Sequence, residues 1–250
     1  MIDMEALRRD GYVRLEGVIG PAMLAEFERV MADLGEAGLA RKGRTRRAAD
    51  AMTDLLKTGG EYRVRLFANL KHLRIVQEMS QAATRRLAAE GFFDAARLTA
   101  PLAYPTLRAD VPGEGRYLLP MHQDYATQCR VAWRLWCPLR PAGRSGGTMA
   151  IRPGSHRLGL VEHDASDPAR PAVPEAVCRD FPPLELEMPA GDAVLFDPLL
   201  VHASIPAAGD RMKYVLLVQV QDLATIVDPD DPEDPLAARL EMAQRRDRHR

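Results

Sequence analysis

The chain has 250 residues, enough for one large domain, and its formal net charge of -1 gives no global attraction to nucleic acid or to an anionic membrane. Hydrophobic residues at 46% and charged residues at 28% predict an ordinary buried core. Aromatics at 6% are too few for a base-stacking surface, and no apolar run is long enough to span a bilayer.

The first residues are acidic and basic with no apolar stretch, so they do not read as a signal peptide. Cys129, Cys137 and Cys178 have no zinc spacing, and an odd count without a framework suits a reducing compartment. A cytoplasmic protein is expected. A short opening helix precedes a strand over Gly11–Leu15. Gly20-Pro21 then starts a helix, because proline is tolerated at the first helical position. Leu24, Phe27, Val30, Met31 and Leu34 give that helix one buried face. The basic run Arg41–Arg47 reads as a solvated loop, or as a lid if the substrate is anionic. A second long helix is expected from about Lys71 to Glu90, with Leu73, Val76, Met79, Ala83 and Leu87 inward and Gly91 as its stop. His72, near its start, reads as a surface or capping residue.

From Leu98 the texture changes to short strands broken by Pro and Gly. They are expected at Leu98–Arg108, Tyr117–Met121, Val131–Cys137, Thr148–Arg152, Leu184–Met188, Ala193–Phe196, Val201–Ser204 and Met212–Val220. Such a set predicts a mainly β fold with N-terminal helices, its core a double-stranded β-helix (a cupin-like jelly roll), with the helices outside one sheet. No repeat or composition break divides the chain. It reads as one domain, helical over about residues 1–97, jelly roll over about 98–222, with a charged tail over about 223–250. The stretch Arg157–Phe181 is long enough to be a functional loop over a pocket.

The chemistry centres on Tyr117–Tyr125. His122 and Asp124 are two apart on an extended segment, so their side chains point the same way. An imidazole and a carboxylate side by side are two corners of a 2-His-1-carboxylate triad. His202, emerging after the apolar strand that follows Gly191-Asp192, is the candidate third ligand. Lys213 and Arg211, also two apart, offer a cation for the carboxylate of an organic co-substrate.

Four segments in order resemble the phytanoyl-CoA dioxygenase family of Fe(II)/2-oxoglutarate oxygenases, which includes ectoine hydroxylases. They are Asp10–Val13, Met121–Tyr125 with Leu135–Leu139, Gly146–His156, and Gly191-Asp192 through His202–Ser204. The resemblance implies that His122, Asp124 and His202 hold iron, and that Fe(II), 2-oxoglutarate and O2 are the cofactors and co-substrates. It also implies that Ser204 contacts 2-oxoglutarate, that Gln123 and Trp136 line the pocket, and that His156 is structural. The family places an arginine eleven residues after the distal histidine, where this chain has Lys213, so the clamp is Lys213 or Arg211. The family asparagine five residues after that histidine is Ala207.

An intact carboxylate at Asp124 favours hydroxylation over halogenation; desaturation, epimerisation and ring closure stay open. Arg108, Arg130 and Arg134 near the metal motif favour a small polar or anionic substrate, sugar-like, amino-acid-like or a natural-product intermediate. Two alternatives stand beside this one, a jelly-roll metalloenzyme that does not use 2-oxoglutarate and a metal-dependent binding or sensor protein. The oligomeric state is not legible.

Overall fold

The fold is taken from a computed structural model, which describes residues 1–47, 50–92, 97–99, 106–115, 118–124, 132–164, 166–167, 170 and 172–225. The expected strand residues between Leu98 and Arg108, Tyr117, Val131, Cys129, Arg130 and the tail beyond residue 225 lie partly or wholly outside them.

The chain opens with α1 (Met4–Asp10), β1 (Tyr12–Leu15) and α2 (Pro21–Arg41). Asp3 caps α1 by accepting from the amides of Glu5 and Ala6 at 3.0 and 2.9 Å. Gly11 ends it at φ 79°, and a Cβ there would lie 2.4 Å from Nδ1 of His156, so this position needs glycine for its conformation and for its contact. The contact comes from the Pro-Gly-Ser-His turn. There His156 Nε2 bonds the Arg8 carbonyl at 3.0 Å and the Gly154 amide donates to the Asp10 carbonyl at 2.7 Å. His156 is thus a strut between this turn and the end of α1.

Next come α3 (Ala51–Lys57), α4 (Gly60–Leu70) and α5 (Arg74–Ala89). The helix expected from Lys71 begins three residues later, after a turn that contains the exposed His72. Neither α3 nor α4 was expected from the sequence. Five of the seven α3 residues are buried, which erases the polar face, and α4 buries only Leu70, which erases the apolar one.

Of the strands, β2 (Leu98–Thr99), β3 (Thr106–Asp110), β4 (Trp133–Pro138), β7 (Ala193–Phe196) and β9 (Lys213–Asp222) join β1 in one antiparallel sheet. Its order is β1-β7-β4-β9-β2, with β3 also on β9. The second sheet has β5 (Thr148–Ile151) between β6 (Leu184–Glu185) and β8 (His202–Ile205). Helices followed by two facing antiparallel sheets are the expected jelly-roll architecture.

Alternation along the strands divides two cores. Leu135, Cys137, Tyr214, Leu216 and Val218 face the helices, where they meet Phe27, Met31, Val76 and Met79. Trp136, Val194, Phe196 and Val215 face the second sheet and pack on Met149 and Ile151. Both faces of the large sheet are covered, which explains the unbroken apolar reading of Lys213–Asp222. Arg140 locks helices to sheet: it pairs with Glu28 of α2 at 2.6 Å and with the α3 cap Asp50 at 3.0 Å, donates to the Met212 carbonyl at 2.8 Å and lies over the Tyr214 ring. No helix among the described residues is long and apolar enough to cross a membrane.

Candidate metal centre

Among the described residues of the expected strand over Tyr117–Met121, 118–121 form no ladder, and His122 pairs with His202 through a single bridge. Their amides and carbonyls exchange hydrogen bonds at 2.9 and 3.0 Å. Pro120 is the physical reason for the break. It has no N–H to donate, and the Ser204 amide reaches past it to the Leu119 carbonyl at 3.0 Å.

The Pro120 carbonyl instead accepts from His122 Nδ1 at 2.8 Å, and the Leu200 carbonyl accepts from His202 Nδ1 at 2.9 Å. A carbonyl can only accept, so each Nδ1 carries a proton and Nε2 is the ring nitrogen turned toward the centre. Both Nε2 atoms lie 3.8 Å from the Asp124 carboxylate, one on each oxygen. One ligand atom from each of the three residues falls within 4.8 Å of the others, the spacing of a facial metal site. Among the described residues this is the one such cluster of His, Cys, Asp and Glu.

Electrostatics favour ligands in their metal-binding form. Burial, with His122 behind it, pushes His202 well below the usual histidine range, so its imidazole is neutral. Burial also opposes ionisation of Asp124, but Arg134 and then the two histidines outweigh it and hold its carboxyl below the usual range. Phe196 meets the His202 ring edge-on with centroids 4.9 Å apart and keeps that side dry.

Beside the triad lies a cavity of about 90 Å³, and Trp136, Ser204, Lys213 and Arg108 are on its wall. Lys213 is buried; its Nζ donates to the Thr148 carbonyl at 2.9 Å and lies 3.4 Å from Asp110. Asp110 stands directly across the β3–β9 ladder from Lys213 and also accepts from Arg108 Nε at 2.8 Å. Burial depresses Lys213 to about 8. Gly147, at φ 75°, lets this side chain pass: a Cβ there would stand 3.0 Å from Lys213 Cδ.

Two expected pocket residues are elsewhere. Gln123 alternates with His122 and Asp124 and therefore points to the rear, where it is 2% exposed. Its amide donates to the carbonyls of Gly159 and Leu199 at 2.8 and 2.7 Å and accepts from the Val161 amide at 3.0 Å, while its own N–H donates to His163 Nε2 at 3.0 Å. Arg211 is exposed in the bend before β9, because the ladder starts only at Lys213 and the alternation that would pair them on one face has not begun. The stretch Arg157–Phe181 likewise backs the metal segment: Val161, Val173 and Phe181 pack with Met121 and Val201. Arg108 and Thr148 complete the cavity's polar wall, with Asp110 paired to Arg108 and Lys213 beside it. The pairing of Asp110 with Lys213 is a register fact that no local sequence signal carries.

Comparison with known proteins gives this geometry its context. The phytanoyl-CoA dioxygenase (PhyH) family pattern matches residues 7–214. The chain is 30% identical over 240 residues to a 1-deoxypentalenic acid 11-beta-hydroxylase of Streptomyces arenae, covering 87% of this chain and 81% of that protein. Among solved structures it resembles EvdO2 from Micromonospora carbonacea var. aurantiaca, at 21% identity and TM-score 0.53, over 93% of this chain and 96% of that one. It also resembles the non-heme alpha ketoglutarate dependent carbocyclase SnoK from nogalamycin biosynthesis, at 22% identity and TM-score 0.51, over 88% and 84%. The two structures share the fold; family membership rests on the sequence match, and the chain belongs to the phytanoyl-CoA dioxygenase family of Fe(II)/2-oxoglutarate-dependent oxygenases.

Proposed function

We propose that the chain hydroxylates a small polar molecule, with release of succinate and CO2, and that residues 1–250 act as one oxygenase domain. In this reading His122, Asp124 and His202 hold Fe(II), and Lys213 meets the distal carboxylate of 2-oxoglutarate, with Ser204 and Trp136 beside it. The observation that carries it is the convergence of three metal-ligand atoms within 4.8 Å next to a cavity that contains a buried lysine. Two imidazoles, each fixed by a carbonyl behind it, and one ionised carboxylate are a donor set that fits Fe(II).

Iron and 2-oxoglutarate supply the oxidising chemistry when bound. The protein's own side chains orient and shield. Phe196 and Trp136 exclude water, and the Nδ1 bonds of both histidines hold the rings against rotation. The similarity, over 87% of this chain, to a hydroxylase of 1-deoxypentalenic acid supports hydroxylation and a natural-product substrate.

Succinate formed from 2-oxoglutarate in the presence of Fe(II), and abolished by His202→Ala, tests the assignment. A second reading, a metalloenzyme without 2-oxoglutarate, draws on Lys213 already bonding Thr148 and Asp110. It predicts metal binding with no succinate under any substrate.

A further inference from the structure

Arg134 lies on the inward face of β4, two residues before Trp136, with Phe196 and the half-buried Gln219 as its strand neighbours. Its side chain is 12% exposed, and its Nε is buried without an aligned hydrogen-bond acceptor. The carboxylate that faces it is Asp124, with Oδ2 3.2 Å from Nε, and among the described residues no other carboxylate pairs with it. It is not on the cavity wall with Lys213. The ladder sets it opposite Gln219, six residues along β9 from Lys213, so the two residues' backbone positions are about 20 Å apart along the sheet. Asp124 and the metal side of the site lie next to Arg134.

Among the described residues, the charges around the centre of the iron-loaded, 2-oxoglutarate-bound enzyme leave one cation over. Arg108 and Lys213 share Asp110, a net single positive charge that a distal carboxylate of 2-oxoglutarate would neutralise. The two charges of Fe(II) are met by Asp124 and the second carboxylate of 2-oxoglutarate. Arg134 then shares its one carboxylate partner, Asp124, with the metal. A buried guanidinium beside a dication is costly unless an anion completes it.

We propose that Arg134 is the anchor for an anionic group of the primary substrate, so that the substrate is a small organic acid whose oxidised carbon lies close to its carboxylate. This rests on the oxygenase reading above. The planar fork of arginine suits bidentate binding of a carboxylate.

The test uses the enzyme loaded anaerobically with Fe(II) and 2-oxoglutarate, titrated with alicyclic and aromatic monocarboxylates at millimolar concentration. Each acid is matched with its carboxamide, and the visible charge-transfer band of the iron complex is read. Acids should shift the band and carboxamides should not. Arg134→Gln should weaken acid binding roughly 10- to 100-fold and abolish the preference, Arg134→Lys should restore part of it, and any loss of Fe(II) affinity in either should be smaller than the loss of acid binding. Equal binding of acid and carboxamide, failure of every acid to shift the wild-type band, or an unchanged preference in Arg134→Gln would overturn the proposal. So would a loss of Fe(II) affinity as the main effect of Arg134→Gln, since Arg134 would then only position Asp124. Absence of the band before any acid is added is a different result, because it removes the oxygenase reading itself.

Discussion

His122 and His202 exchange both of their main-chain hydrogen bonds, at 2.9 and 3.0 Å, and each ring also bonds the carbonyl two residues before it. The two imidazoles, 80 residues apart in the chain, are thus held by one backbone clasp, with ring centroids 4.2 Å apart. Removing either ring should lower Fe(II) affinity by more than the roughly 10- to 100-fold typical of outer-shell changes. Isothermal titration with Fe(II) under argon on His122→Ala and His202→Ala checks this. Retained wild-type affinity in either variant would remove that residue from the ligand set.

Gln123 fastens the segment 159–161 and Leu199 to the metal motif from behind. Gln123→Glu sets a carboxylate against two carbonyls and strands both. It should cost about 3 kcal/mol or more of stability and lower iron affinity roughly 10- to 100-fold. Gln123→Met keeps the shape without the added charge and should cost less. Urea unfolding paired with iron titration reads both effects; equal losses in the two variants would contradict the clasp.

Lys213 gives a pH dependence with a definite sign. Burial lowers it from 10.5 to about 8 in the folded protein. Below 8 it is charged in both states, and the folded state bears the burial cost. Between 8 and 10.5 the unfolded chain binds the extra proton, so stability rises with pH across that window. Lys213→Met should therefore stabilise the ligand-free protein at neutral pH, by a margin that shrinks toward pH 10.5. If Lys213 holds 2-oxoglutarate, the KM for that co-substrate should rise above pH 8, and Lys213→Arg should flatten the profile. A flat profile in the wild type would count against Lys213 as the clamp.

Gly11 is held at φ 79° with a Cβ position 2.4 Å from the His156 ring. Gly11→Ala should destabilise the fold by about 1–3 kcal/mol. Gly11→Ala combined with His156→Ala should recover the steric part, leaving the conformational part. Thermal denaturation of the single and double variants separates the two.

Much of this was legible in the sequence where the signal is local. Ala193–Phe196 is a strand at the expected residues, Pro21 starts α2, and His122, Asp124 and His202 converge as their spacing implied. What was not legible depends on partners. The helices α3 and α4 lack a two-faced pattern because one is nearly all buried and the other nearly all exposed. Gln123 was expected in the pocket by resemblance, but strand alternation sends it to the rear. Arg211 was paired with Lys213 by spacing, yet it precedes the first ladder residue. Pro120 broke a strand that its apolar neighbours predicted.

The most direct measurement is an anaerobic titration of the metal-free protein with Fe(II) and then 2-oxoglutarate, followed by visible absorption. If Fe(II) and 2-oxoglutarate bind as proposed, a weak charge-transfer band forms that is lost in His122→Ala, weakened in Lys213→Ala and unchanged in Arg211→Ala. Iron binding with no band on addition of 2-oxoglutarate would contradict the proposal.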